Sequence, residues 1–399
     1  MKIIYFLLFI LVTSIHSLQS QTAEFNAVGD LEVSTAGNNS HYYYNGIDKD
    51  HTDLRLGISQ LNILGQVTLD SQWSVHTRLV LERDKGQKLE RLKVPQLNIE
   101  WLSKNRRFAF MLGNFINPFG SFNKKQLSTE RNFIGLPLAY AYYQNISDKI
   151  GYMNGMGELW KIPIDGDVQW GSTNMYYGGY STGLGFSWNI KPTKINWKLA
   201  LVTGASNIQK RITDPLHSGL ITRIGFQPTY FWQQGFSMSY GTFMQESEVS
   251  DLLSDLRAFT QTIIGTDFKI GSGYFEFSGE AMVSIYNVPQ FDGERNMFKQ
   301  SGNSDIVNLS NFTTYLDFKY ELPIIQGSYA AYRIDYLAFS QQNGGRQHWD
   351  DNVLRHSFAL GYHITRYLLL RATASTQQVD NKNWNKTQRT LRLVLTAHY

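Results

Sequence analysis

The residues best equipped for chemistry fall in one stretch, 117–145, which reads NPFGSFNKKQLSTERNFIGLPLAYAYYQN. Three cations, Lys124, Lys125 and Arg131, stand there among Phe119, Phe122, Phe133, Ile134, Leu136 and Leu138. Apolar side chains of that number need burial, which a loop open to water does not give them. Folded inward between the strands that flank it, the stretch would narrow an aqueous passage, and Lys124, Lys125, Arg131, Phe119 and Phe122 would form the constriction. Cations so placed act on small anions. The competing expectation is a loop that caps an opening or packs on a neighbouring subunit.

Other constellations offer less. Nine His are scattered and none forms the His-Glu-x-x-His pair that holds zinc. His356 and Ser357 are adjacent, so on a strand they point to opposite faces and make no dyad. A Ser–His hydrolase would have to gather its partners from several strands. Asp48, Asp50 and Asp53 form a small acidic group that either binds Ca²⁺ through oxygens or is simply solvated. Without a single Cys there is no disulfide, no thiolate metal site and no Cys nucleophile. No cofactor and no catalytic residue is expected.

The elements that must position these residues are strands, because the dominant periodicity is two. Over 72–82, Trp73, Val75, Thr77, Leu79 and Leu81 alternate with Ser74, His76, Arg78 and Glu82. The same alternation recurs over 195–202, 312–321, 330–336 and 354–362. Several runs extend 10 to 13 residues. That is longer than the ~5–6 usual for soluble strands and close to the ~9–11 needed to cross a bilayer at a tilt. The polar faces carry Arg78, Arg223, Arg333, Arg355, Arg371 and Arg392, together with Glu276, Glu280, Asp317, Lys319, Glu321 and Asp335. Mixed signs point to cross-strand pairs; a ring of one sign would point to ion selectivity.

Short turns near 69–71, 104–106, 163–166, 191–193, 231–234, 271–273, 323–327 and 365–366 alternate with longer polar stretches, as in outer-membrane barrels. Eight such hairpins account for sixteen strands, and a first strand near 25–34 and a last near 388–399 remain to close a ring. The expected fold is all-β: a transmembrane, antiparallel, up-and-down β-barrel of about eighteen strands, with sixteen as the alternative. Trp188, Trp197, Phe231 and Trp232 lie beside short turns, where an interfacial aromatic girdle would sit.

Export is written at the start of the chain. Lys2 precedes a charge-free run over 3–15, and small or polar residues follow, so 1–20 reads as a signal peptide and 21–399 as the barrel. No later stretch approaches the ~18 apolar residues of a membrane helix. Aromatics reach 14% while the mean hydropathy is −0.31. That combination is poor for disorder and fits an apolar exterior averaged against a wet interior. A soluble exported all-β protein would share it. The net charge of +4 is too small to imply nucleic acid. At the C-terminus, Leu391, Leu393, Leu395, Ala397 and Tyr399 alternate up to the last residue. Leu395, Ala397 and Tyr399 resemble the terminal signal read by the outer-membrane barrel assembly machinery.

The run Gly113-Asn114-Phe115-Ile116-Asn117-Pro118-Phe119-Gly120 resembles the Gly-x-x-x-x-Pro-Phe-Gly element of phosphate-selective-type and related large porins of Gram-negative bacteria. The resemblance implies a passive channel in the outer membrane, trimeric or monomeric, with its third loop (116–147) folded inward. Phosphate-favouring members carry denser Lys and Arg ladders, so no substrate preference is carried over. The expected function is passive diffusion of small solutes or ions, with outer-membrane lipid as surroundings and a homotrimer left open. Two other readings stand beside it: a loop-plugged barrel that serves a surface partner, and a membrane-embedded hydrolase.

Overall fold

A computed structural model describes residues 22–37, 54–83, 89–148, 151–154, 171–175, 179–190, 194–206, 218–244, 255–292, 306–341, 348–380 and 387–399. The signal segment, the Asp48–Asp50–Asp53 group and the turn expected at 163–166 lie outside these residues.

In chain order the strands are β1 (Thr22–Ala36), β2 (Arg55–Thr68), β3 (Trp73–Arg83), β4 (Leu89–Leu102), β5 (Phe108–Ile116), β6 (Ile146–Ser147), β7 (Gly151–Asn154), β8 (Tyr180–Ile190) and β9 (Ile195–Val202). They continue as β10 (Gly219–Phe226), β11 (Trp232–Thr242), β12 (Thr260–Ser272), β13 (Phe275–Asp292), β14 (Ile306–Glu321), β15 (Ser328–Phe339), β16 (Val353–Thr365), β17 (Leu368–Val379) and β18 (Thr387–His398). Apart from β6 and β7, each strand pairs antiparallel with its sequence neighbours, and β1 pairs with β18 from Val28↔His398 to Ala36↔Thr390. The sheet thus closes on itself and has no free edge, the arrangement that satisfies every backbone group without water.

The wall has sixteen strands, the alternative count, and not eighteen. β5 pairs directly with β8, from Phe108↔Trp188 to Ile116↔Tyr180, so nothing between them enters the wall. The described residues that follow β5, 117–148, are rich in apolar side chains and pack inside the ring. The short strands β6 and β7 pair with each other, and β7 runs parallel to the far end of β13 at Gln290↔Tyr152.

The alternation read from sequence is the alternation of the wall. On β16, Phe358 and Leu360 are exposed outward while Arg355, Ser357 and Ala359 are buried inward. At the end carrying the short turns, exposed Tyr230, Phe231, Trp232, Tyr274, Phe275 and Tyr367 form an aromatic rim, and Phe108 stacks on Trp188 at 5.9 Å. Such rings favour headgroup depth. The turns use ordinary chemistry: Asp70 accepts from the amides of Gln72 and Trp73 at 2.7 and 2.8 Å, and Gly273 takes a positive φ of 58°. Among the described residues no helix is long and apolar enough to cross a membrane.

Candidate functional site

The insert begins at the motif singled out above, and each of its residues has a physical task. Gly113 adopts φ +119°, and a Cβ there would collide with the backbone of Leu97 on β4. The Asn117 side chain accepts from the Phe119 amide at 2.9 Å, which turns the chain away from the wall. Phe119 is buried at 2% exposure among Phe115, Phe122, Tyr140, Met282 and Tyr315. Gly120 takes φ +63°, and a Cβ would meet a Glu280 oxygen at 2.6 Å. A glycine is needed there because the insert lies directly on that carboxylate.

Glu280 on β13 is the first anchor. It accepts from the amides of Ser121 at 2.5 Å and Phe122 at 2.6 Å, and from the Tyr140 phenol at 2.8 Å. Burial, then the nearby carboxylate, holds the Tyr140 phenol well above its ordinary pKa, so it stays protonated and donates. The anchoring continues round the ring. Ser128 donates to Asp30 on β1 at 2.8 Å. Arg371 on β17 donates to the Arg131 carbonyl at 2.7 Å, Arg333 on β15 to that of Gly135 at 2.8 Å, and Arg355 on β16 to that of Leu136 at 2.6 Å. The Leu138 amide donates to Asp335 at 3.2 Å. Wall arginines hold the insert's carbonyls and wall carboxylates hold its amides. These charge-assisted bonds are about twice as strong as neutral ones.

The wall charges also hold one another. Asp317 and Arg333 are directly opposed on β14 and β15 and bond at 2.5 and 2.7 Å. Asp335 and Arg355 are opposed on β15 and β16 and bond at 3.1 Å. Arg392 forks onto Glu32 with two bonds of 2.7 Å. Arg223 on β10 forks onto Asp267 on β12 at 3.0 and 2.7 Å, crossing β11 above Gly235. Arg78 bonds Asn62 and, at 2.5 Å, the Tyr180 phenol.

Three apolar clusters pack inside the ring. One cluster surrounds Phe119 and Phe122. A second, towards the loop end, gathers Leu138, Ile146, Tyr152, Tyr286, Phe339 and Trp349, and Phe133 packs with Tyr329 and Leu369.

The expected site residues therefore divide. Phe119 and Phe122 are buried anchors. Arg78, Arg223, Asp317, Arg333, Asp335, Arg355, Arg371 and Arg392 are each exposed by 6% or less, beneath the insert or in wall pairs. Lys319 keeps some exposure, bonds Glu321 at 3.0 Å and lies over the Tyr329 ring. Arg131 is half-buried and gives its carbonyl to Arg371. Lys124 is exposed to the lumen, whereas Lys125 is half-buried. Enclosure by the surrounding protein desolvates the Lys124 ammonium, and Lys198 and Arg223 add to the effect, so its pKa is pushed down to about 8. The same desolvation lowers Lys125, which Asp317 and Glu276 partly offset. Leu395, Ala397 and Tyr399 lie on the outward stripe of the last strand and just beyond it.

Sequence reasoning did not see Asp30, Asp267, Glu32 or Gly235 as partners, and it gave Glu280 no anchoring role. A glycine breaking the inward alternation of β11 was the one available signal. A Ser74–His76–Glu100 group also emerges on the inward face. Its geometry is unlike a relay, because the same ring nitrogen of His76 meets Ser74 Oγ at 2.9 Å and Glu100 at 3.1 Å. A hydrolytic triad uses the two nitrogens separately. Among the described residues no group of three or more His, Asp or Glu is placed to hold a metal.

The sequence matches no protein-family model and no curated protein. Its fold does have counterparts. The anion-selective porin from Comamonas acidovorans superposes with a TM-score of 0.60 at 8% identity, over 95% of this chain and 100% of the porin. The outer membrane channel DcaP of Acinetobacter baumannii gives 0.60 at 9% identity, over 95% and 97% of the two chains. OmpT of Vibrio cholerae, in its trimer form, gives 0.58 at 8% identity, over 96% and 100%. At such identities the likeness is one of fold, and the fold is that of a porin-type outer-membrane β-barrel.

Proposed function

We propose that the chain is a non-enzymatic outer-membrane channel through which small solutes or ions diffuse down their gradients, narrowed by its third loop. The observation that carries this is the closed sixteen-strand ring with apolar residues outside and ionised residues inside. Such a wall has its lowest energy with lipid on one side and water on the other. Residues 1–20 then act as a removable export signal, and Leu395, Ala397 and Tyr399 serve the assembly machinery during insertion. Phe119 and Phe122 seat the loop, and Lys124, Lys125 and Arg131 belong to its constriction. A homotrimer is the assembly we favour, in keeping with the trimer form of the Vibrio cholerae protein.

Purified protein in planar bilayers should give stepwise conductance, and deletion of residues 119–138 should enlarge each step. Sealed bilayers at all protein concentrations would refute the reading. One observation favours a second: apolar clusters pack inside the ring. A barrel plugged in this way would serve as a surface anchor, and it would lose a co-purifying partner when its outer loops are removed.

A further inference from the structure

We infer that the later arm of the insert, residues 138–147 with β7, is a releasable seal on the outer mouth beside β13 to β16. The passage then has two levels of conductance, a lower one with the seal seated and a higher one with it lifted. The inference rests on the channel reading above.

Three inward strand faces change character along their length. On β15 the face runs from Arg333 and Asp335 to Leu337 and Phe339 at the loop end. On β14 it runs from Asp317 through Asn311 to Leu309 and Val307, and on β16 from Arg355 to Val353. A water-filled mouth calls for a polar lining. These apolar ends are buried instead, in one cluster with Leu138, Ile146 and Tyr152 of the insert and with Trp349. Trp349 meets the Tyr152 ring at 6.2 Å and the Phe339 ring at 4.6 Å. An apolar contact across a pore closes it by excluding water.

The two arms of the insert are held differently. The first is pinned by ionised groups of the wall: Glu280, Arg333, Arg355 and Arg371. Beyond residue 141 neutral carboxamides take over. Asn311 donates to Gln144 at 3.1 Å, Asn174 to Asn311 at 3.0 Å and Gln261 to the Tyr286 phenol at 3.0 Å. One carboxylate, Asp350, accepts from the Asn145 amide at 2.7 Å. Neutral hydrogen bonds are about half as strong as charge-assisted ones, so the later arm is the one to release. Gln261 Oε1 is buried in that layer without a partner. Water admitted on release would satisfy it and offset part of the cost of wetting the cluster. Burial of the apolar side chains still favours the seated form.

The test uses the full-length protein carrying Tyr152→Cys and Gln290→Cys. These positions are in register on β7 and β13, and adjacent strands lie ~4.8 Å apart, within the span of a disulfide. The natural chain has no Cys, so the pair has no competitor. In planar bilayers the wild type should rest at the lower level, with brief steps to the higher. The reduced variant lacks the Tyr152 ring and should spend about tenfold more time at the higher level, as a truncated core side chain implies. Oxidation should hold the same molecules at the lower level, and dithiothreitol should restore the steps. Leu337→Asn, on the wall side of the seal, should lengthen the higher level as well. Thiols that do not join, equal records from the oxidised and reduced protein, or a wild type with a single level would each overturn the inference while leaving the channel standing. A wild type that passes no current would overturn both.

Discussion

The Tyr140 phenol donates to Glu280 at 2.8 Å, joining two residues 140 positions apart. The same carboxylate takes the Ser121 and Phe122 amides, so one side chain on β13 pins two separate stretches of the insert. Glu280→Ala would leave two amides and a phenol buried without an acceptor. A buried donor left without an acceptor costs about 1–3 kcal/mol. The ring should survive on its ladder, while the insert loosens. We expect larger single-channel conductance and faster tryptic cleavage after Lys124 and Lys125. Glu280→Gln, which keeps one acceptor oxygen, should do less. Wild-type conductance and wild-type protease resistance in Glu280→Ala would remove the anchor role.

Gly235 makes the Arg223–Asp267 pair feasible. The pair crosses β11 at that residue, and an added Cβ would press on both partners. Over-packing a fitted interior costs roughly 1–3 kcal/mol. Gly235→Ala should therefore lower the melting temperature in detergent, read by circular dichroism. Gly271→Ala is the matched control, since its Cβ would meet nothing nearer than 3.9 Å. Equal melting of the two variants would argue against the crossing as a source of stability.

The outward face of this fold was legible because lipid imposes one rule on every strand, and residues such as Phe358 and Leu360 obey it locally. The strand number was not. The segment after Ile116 carries turn signals of its own, and only the direct pairing of Phe108 with Trp188 shows that the wall closes behind it. The period-two placement of the arginines on the polar faces is equally local. Their partners were not local: Arg333 meets the Gly135 carbonyl across 198 positions and Arg371 that of Arg131 across 240. A backbone carbonyl has no residue type, so no pattern in the sequence could announce it. The mixed-sign charges do pair across strands, as Asp317 with Arg333, and the same arginines also hold the loop.

Arg371 tests the loop-holding role. It donates to the Arg131 carbonyl and, at 3.2 Å, to Thr396, and it is 1% exposed. Arg371→Gln should free the insert around 131–134, at the ~1–3 kcal/mol typical of an unmet buried group. Conductance should rise and thermal stability fall, yet the chloride-to-potassium ratio should hold. A shifted ratio would show that solutes do sense this guanidinium.

Lys124 should make that ratio depend on pH. Enclosure in the ring, then Lys198 and Arg223, push its pKa down to about 8 from the ordinary 10.5. A lowered pKa on a cation means the charge is present below that value and lost above it. Whatever chloride preference this charge adds should therefore be full near neutral pH and decline as pH rises through about 8, well before a freely solvated lysine would titrate. Lys124→Gln should start from the lower preference and show no step there. Reversal potentials taken between about pH 6 and 10 on both proteins decide it. A single decline near the ordinary lysine value, or the same step in Lys124→Gln, would mean that the charge selecting the ion is not the one on Lys124.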